Sequence, residues 1–174
     1  MAAIESPAAV LAAASIARAH PRVVALMLGA EDLALDIGLG TARVAEAAEL
    51  LFARSMVVYA AAAARVVSID GVFPNLDDPA GMERDTLQAR RLGFTAKSTF
   101  NPRQVAVINR VFSPRPDEIA YARRVVDAFQ SAQARGDASV AVGGQLVDRP
   151  IVARACRLLQ LAQAELAADG RGGR

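Results

Sequence analysis

One cysteine, one histidine, one lysine and no tryptophan occur in the 174 residues of this chain. Cys156 has no second cysteine to pair with, so an intrachain disulfide framework is excluded and a reducing, cytoplasmic setting is expected. With His20 as its only companion it also leaves too few soft ligands for a structural zinc site. Aromatic residues make up 5% of a chain that is 53% apolar, so the core must come from Leu, Val, Ile and closely packed Ala, a composition that favours helix. The 20 basic and 18 acidic side chains give a net charge of +2. The arginines are dispersed among acids, which argues against a nucleic-acid footprint. The most apolar stretch, Ser55 to Ile69, is bracketed by Arg54 and broken by Arg65, and falls short of the ~20 residues of a bilayer span. MAAIESPAAV lacks the basic start and long apolar core of an export signal. No membrane segment and no export are expected.

Short β-branched runs alternate with long Ala-rich periodic segments, the pattern of about four strand–helix units around a parallel sheet. Strands are predicted at Ala2–Ile4, Val23–Leu28, Val66–Ile69 and Phe94–Ser98. Ser6 with Pro7 opens a helix running to about Ala19. Thr41 caps a helix from Ala42 to about Ala64 with Leu50, Leu51 and Met56 on its packed side, and a further helix runs from about Met82 to Leu92. Asn101-Pro102 starts the helix PRQVAVINRVF. Beyond Ser113 the pattern changes to a long amphipathic helix ending near Ala134, a hairpin over Ser139–Val147 turned at Gly143-Gly144, and a last helix from Pro150 to Ala168 before the polar tail DGRGGR.

In a parallel α/β architecture chemistry collects at the carboxyl ends of the strands. Glu5 directly follows the first strand and Asp32 closely follows the second, so both belong to one rim of the sheet. Two hard oxygen ligands on adjacent strand ends suit Mg²⁺, which fills its other positions with water and substrate oxygens. A helix-capping role for Asp32 is the alternative. Lys97, at the fourth strand end, is a candidate for a phosphate or carboxylate contact, the alternative being a structural ion pair. His20 before Pro21 reads as a solvent-facing helix-end residue, Cys156 as an inert residue on an apolar helical face, Asp36 as a helix-turn acid and Asp77-Asp78 as a cap. Asp70 reads as an orienting residue.

The run IESPAAVLAAASIARAHPRVVALMLGAEDLALDIGLG, followed by IDGVFPNLDDPAGMERDTLQARRLGFTAKSTFNPRQVAVINRVFSP and GGQLVDRP, strongly resembles the citrate lyase beta-subunit-like CoA-ester lyases of the HpcH/HpaI aldolase superfamily. Malyl-CoA and citramalyl-CoA lyases belong to the same group. The resemblance implies a TIM (β/α)8 barrel with Mg²⁺ held by a Glu after the fifth strand and an Asp after the sixth, positions that fall on Glu5 and Asp32. It implies a CoA thioester substrate, an oxo-acid partner, and an acid/base Asp in the C-terminal motif, here Asp148. It further implies a homo-oligomer, a trimer or hexamer in the family, or pairing with a missing N-terminal half.

Ala96-Lys97 stands where relatives commonly carry Gly-Lys, and Phe100-Asn101-Pro102 where they carry Ile-His-Pro. If Ala2–Ile4 is the fifth strand, barrel strands one to four and their substrate-gripping Arg and Lys are not in these residues, and a complete barrel needs about 250. The expected organisation is therefore the C-terminal half of a TIM barrel over 1–113, a helix–hairpin–helix extension over 114–168 serving as lid or oligomer contact, and a disordered tail over 169–174. The expected function is a Mg²⁺-dependent carbon–carbon lyase acting on a CoA thioester. A non-catalytic fragment or assembly subunit, and a metal-dependent oxo-acid aldolase without CoA, are the competing readings.

Overall fold

The computed structural model describes residues 1–40 and 47–172, with side chains through Ala167. The chain divides into two units, Met1–Phe112 and Ser113–Arg174.

The first unit is built on four parallel strands, β1 (Ala2–Ile4), β2 (Ala25–Leu28), β3 (Val67–Asp70) and β4 (Ala96–Lys97), in the order β1-β2-β3-β4. Side chains alternate across a strand, and the register sorts them. Ile4 pairs with Leu28, and Ala2 with Leu26 and then Ser68. These side chains face the helices, where Ile4, Leu26 and Leu28 are buried in one core with Val10, Ala13, Leu50 and Val57. Each fully buried aliphatic side chain contributes about 1.5–3 kcal/mol. The other face carries the row Ala3, Met27, Ile69 and Ala96, partly exposed, with Ala3 exposed outright.

Between β1 and β2 the predicted single helix is two, α1 (Pro7–Leu11) and α2 (Ala13–Arg18). Ser6 caps α1 by accepting from Ala9 N, and a break at Ala12 lets Val10, Ala13 and Ala17 all reach the core. Strand β2 begins at Ala25 rather than Val23, because the turn Val23 N–His20 O occupies its start. After it comes a helix not among those predicted, α3 (Ala30–Asp36), which buries Ala30, Leu33 and Ala34. Thr41, predicted as a cap, lies outside the described residues. The long helix that follows is, within them, a 3-10 turn at Ala48–Leu50 and α4 (Leu51–Ala64). Its packed side is Leu50, Ala53, Arg54, Val57, Ala60 and Ala61, whereas Leu51 is exposed. Asp78 caps α5 (Pro79–Leu92), which thus starts a turn earlier than Met82, and Gly93 at φ 105° ends it in a conformation glycine adopts freely. Asn101 Oδ1 accepts from Arg103 N at the start of α6 (Pro102–Phe112).

The second unit comprises α7 (Pro116–Ala134), the antiparallel hairpin β5 (Val140–Val142) and β6 (Gln145–Val147), and α8 (Arg149–Gly172). Val125, Phe129, Val147 and Ala155 form its core. Gly143 and Gly144 both have positive φ, as a two-residue hairpin turn requires. Helix α8 runs past Ala168 into the residues expected to be disordered, since extending a formed helix adds a hydrogen bond for each residue fixed. Among the described residues no helix is long and apolar enough to cross a membrane.

Candidate functional site

Parallel pairing brings the strand exits to one rim. Ile4 and Leu28 are register partners and Gly29 N donates to Ile4 O at 2.9 Å, so Glu5 leaves β1 beside Gly29. Alternation sends Glu5 to the open face, opposite Ile4. Its side chain lies across Gly29: a Cβ there would stand 2.9 Å from Glu5 Cδ and Oε1. Gly29 is also the residue before α3 and makes no side-chain cap. Asp32 sits in the first turn of α3 and is exposed, where the helix N-terminus favours negative charge. Glu5 and Asp32 line one cleft of about 220 Å³ together with Glu31, Val72, Ser98 and Phe100.

Exposed carboxylates around an open cleft are the hard donor set that Mg²⁺ takes, with waters and ligand oxygens completing its octahedron. No group of three or more His, Cys, Asp and Glu able to hold a metal occurs among the described residues. Oxygen donors of this kind suit a hard cation that keeps several of its waters, and they are not the donor set of a closed transition-metal centre.

On the helix side of the sheet lies a second charged cluster. Arg54 of α4 donates from Nη2 to Asp70 Oδ2 at 2.8 Å, from Nε to Asp70 Oδ1 at 3.1 Å and from Nη1 to Asp85 Oδ1 at 3.1 Å. Lys97 Nζ donates to Asp70 Oδ2 and Asp85 Oδ2, both at 2.6 Å, and to Gly71 O at 2.7 Å. All four side chains are at most 3% exposed. Taking each ion out of water costs several kcal/mol, so such a cluster persists only when satisfied, and no buried side-chain N or O atom among the described residues lacks a partner.

This arrangement corrects the ligand contact expected of Lys97. Asp70 and Lys97 are register partners, so both point toward the helices, away from the Glu5 cleft, and the three ammonium protons are directed at three protein oxygens. Sequence reasoning missed Arg54 and Asp85. Their signal was a charge inside an apolar helical stripe, Arg54 between Leu50 and Val57 and Asp85 between Met82 and Ala89.

Asp148 belongs to the second unit. It is half-buried, its Oδ1 accepts from Ile151 N at 3.3 Å and its carbonyl from Val152 N at 3.0 Å, so it sits at the start of α8 in the position of a cap. His20 is exposed, with Nδ1 accepting from Arg22 N. Cys156 is half-buried on α8, and Asp36 is exposed at the end of α3.

The citrate lyase subunit beta of Leuconostoc mesenteroides subsp. cremoris is 41% identical over 172 residues, 99% of this chain and 56% of that protein. The human mitochondrial citramalyl-CoA lyase is 32% identical over 138 residues, 79% of this chain and 40% of that protein. The crystal structure of the CitE protein of Mycobacterium tuberculosis in complex with magnesium, acetoacetate and coenzyme A matches with a TM-score of 0.80 at 30% identity, covering 94% of this chain and 60% of that one. The chain thus spans about half the length of the curated relatives it matches. Residues 1–102 match the family described as HpcH/HpaI aldolase/citrate lyase, and the chain belongs to that family.

Proposed function

We propose that this chain supplies the metal-binding portion of a Mg²⁺-dependent carbon–carbon lyase that cleaves a malyl-, citramalyl- or citryl-type CoA thioester into acetyl-CoA and an oxo acid. The observation that carries this reading is the pair Glu5 and Asp32, on exits of adjacent parallel strands and lining one cleft. The relative holding magnesium, acetoacetate and coenzyme A together supports it. When bound, Mg²⁺ supplies polarisation of the oxo-acid carbonyl. The Glu5 and Asp32 carboxylates hold and orient the cation's ligand sphere, and Gly29 leaves room for the Glu5 side chain.

In the cleavage direction the hydroxyl proton passes to water in the open cleft, and solvent returns a proton to Asp148 after each turnover. The O–H electrons form the new carbonyl, and the electrons of the breaking C–C bond pass to the thioester α-carbon as an enolate. The Asp148 carboxyl then protonates that carbon to give the acetyl methyl group. The tail motif GGQLVDRP that carries Asp148 favours this chemistry over an aldolase acting without CoA.

The first unit reads as the C-terminal half of a TIM barrel, its strands five to eight, with the second unit as a lid or oligomer contact. The open face bearing Ala3, Met27, Ile69 and Ala96 is the barrel interior in this reading, closed by the remaining half or by another copy in a trimer or hexamer. Those partly exposed residues also favour a second reading, an assembly subunit without activity of its own. The test is calorimetric titration of the chain with oxaloacetate, with and without Mg²⁺. Binding that needs Mg²⁺ and is lost in Asp32→Asn agrees with the proposal, and binding indifferent to Mg²⁺ contradicts it.

A further inference from the structure

Two charged groups of opposite design lie on the two sides of one thin sheet. The Glu5–Asp32 cleft is exposed and open, whereas the Arg54–Asp70–Asp85–Lys97 quartet is dry and saturated. Apolar residues of similar volume in place of such a quartet often give equal or greater stability, so stability alone does not account for four ionised groups there. What apolar residues would not provide is a donor aimed at a chosen backbone atom. Lys97 provides one, to Gly71 O at 2.7 Å.

Gly71 is the residue at which β3 leaves the sheet, and it is buried. The residue before it is held by the same neighbourhood: Asp70 O accepts from Ser98 N at 3.0 Å and from Ser98 Oγ at 2.9 Å. On its other side Gly71 abuts the start of α3, where a Cβ added to it would stand 2.9 Å from Ala30 Cβ and 3.1 Å from Leu28 O. Ala30 opens the helical turn that carries Asp32. Val72, next after Gly71, and Ser98, next after Lys97, line the cleft itself.

We propose that the buried quartet is a positioning device for the cation cleft on the opposite side of the sheet. Through Lys97 and Gly71 it fixes the β3 exit against the first turn of α3, and so sets the place of Asp32 relative to Glu5. Arg54, Asp70, Asp85 and Lys97 are positioning residues in this account and touch no substrate. The inference rests on the proposed cation role of Glu5 and Asp32 and adds what holds those ligands in register.

The experiment measures Mn²⁺ binding by electron paramagnetic resonance, with Mg²⁺ as competitor, on the full chain. It compares the wild type, the charge-balanced double variant Asp70→Asn/Lys97→Met, and Gly71→Ala, with folding verified by circular dichroism. The double variant keeps the Arg54–Asp85 pair, and Gly71→Ala leaves every charge in place. Both are expected to bind Mn²⁺ at least about tenfold more weakly while folded, the usual size of an outer-shell effect on metal affinity. A purely structural role for the quartet moves the melting temperature but not the affinity of the folded protein. Wild-type affinity in a folded double variant overturns the proposal, and where that variant does not fold, wild-type affinity in Gly71→Ala overturns it. A wild type that binds no Mn²⁺ removes the underlying cation reading as well. A wild type whose binding is lost in Asp32→Asn but kept in both positioning variants removes this inference alone.

Discussion

The Glu5 side chain crosses directly over Gly29, so near that a methyl group on Gly29 would lie 2.9 Å from the Glu5 carboxylate carbon. Gly29 has φ −91° and ψ 85°, so its left-handed freedom is not in use and the constraint is space alone. Gly29→Ala is therefore expected to displace Glu5 and weaken Mn²⁺ binding about tenfold or more, at a stability cost of about 1–3 kcal/mol for overpacking. Urea melts and Mn²⁺ titration read the two effects separately. Unchanged affinity would mean that Glu5 can leave its place without consequence.

Lys97→Met removes the cation shared by Asp70 and Asp85 and leaves Gly71 O without that donor. Breaking a buried ionic cluster from one side costs about 3–5 kcal/mol, a large part of the stability of a small domain. Urea denaturation should show a loss of that size, with Arg91→Met on the exposed end of α5 changing stability by less than about 0.5 kcal/mol. Equal effects for the two would contradict the buried assignment.

Much of this architecture was legible in the residues. Ser6-Pro7, Asp78-Pro79 and Gly143-Gly144 each announce a cap or a turn by local chemistry, and the structure has them there. The break at Ala12 was not legible, because an alanine run carries no mark of where a helix bends to bring both halves to the core. Helix α3 left a fainter sign, the spacing Ala30, Leu33, Ala34, Ile37, too short a run to stand out beside the strand before it. For Lys97 the deciding fact is register: pairing with Asp70 selects the face of the sheet, and register is a long-range property. The Glu5–Asp32 cleft was legible because consecutive parallel strands must end at one rim, whichever way the helices pack.

The row Ala3, Met27, Ile69 and Ala96 leaves an apolar sheet face partly exposed, and parallel sheets are ordinarily covered on both faces. Sedimentation at micromolar concentration is expected to find the chain self-associated or bound to a complementing domain. A monodisperse monomer that binds no hydrophobic dye would contradict the open-barrel reading.

Turnover is expected to need more than this chain. Acting alone on citramalyl-CoA with Mg²⁺, it should be slower than the human citramalyl-CoA lyase by on the order of a thousandfold, the scale of lost substrate positioning. A fusion supplying the remaining length of that relative should restore cleavage, and its Asp148→Asn form should lose it with substrate binding retained, because an amide keeps the size of the group but exchanges no proton. An unimpaired Asn form would leave Asp148 as the helix cap its Ile151 hydrogen bond makes it.

In the proposed reading Glu5 and Asp32 together hold one divalent cation in the cleft they share. Direct titration of the chain with Mn²⁺ and competing Mg²⁺, for the wild type, Glu5→Gln and Asp32→Asn, measures it without reference to any substrate. One competable site is expected in the wild type, weakened at least about tenfold by either substitution alone, since each removes a charged ligand. Binding that survives both substitutions, or a wild type with no Mg²⁺-competable site, would contradict it.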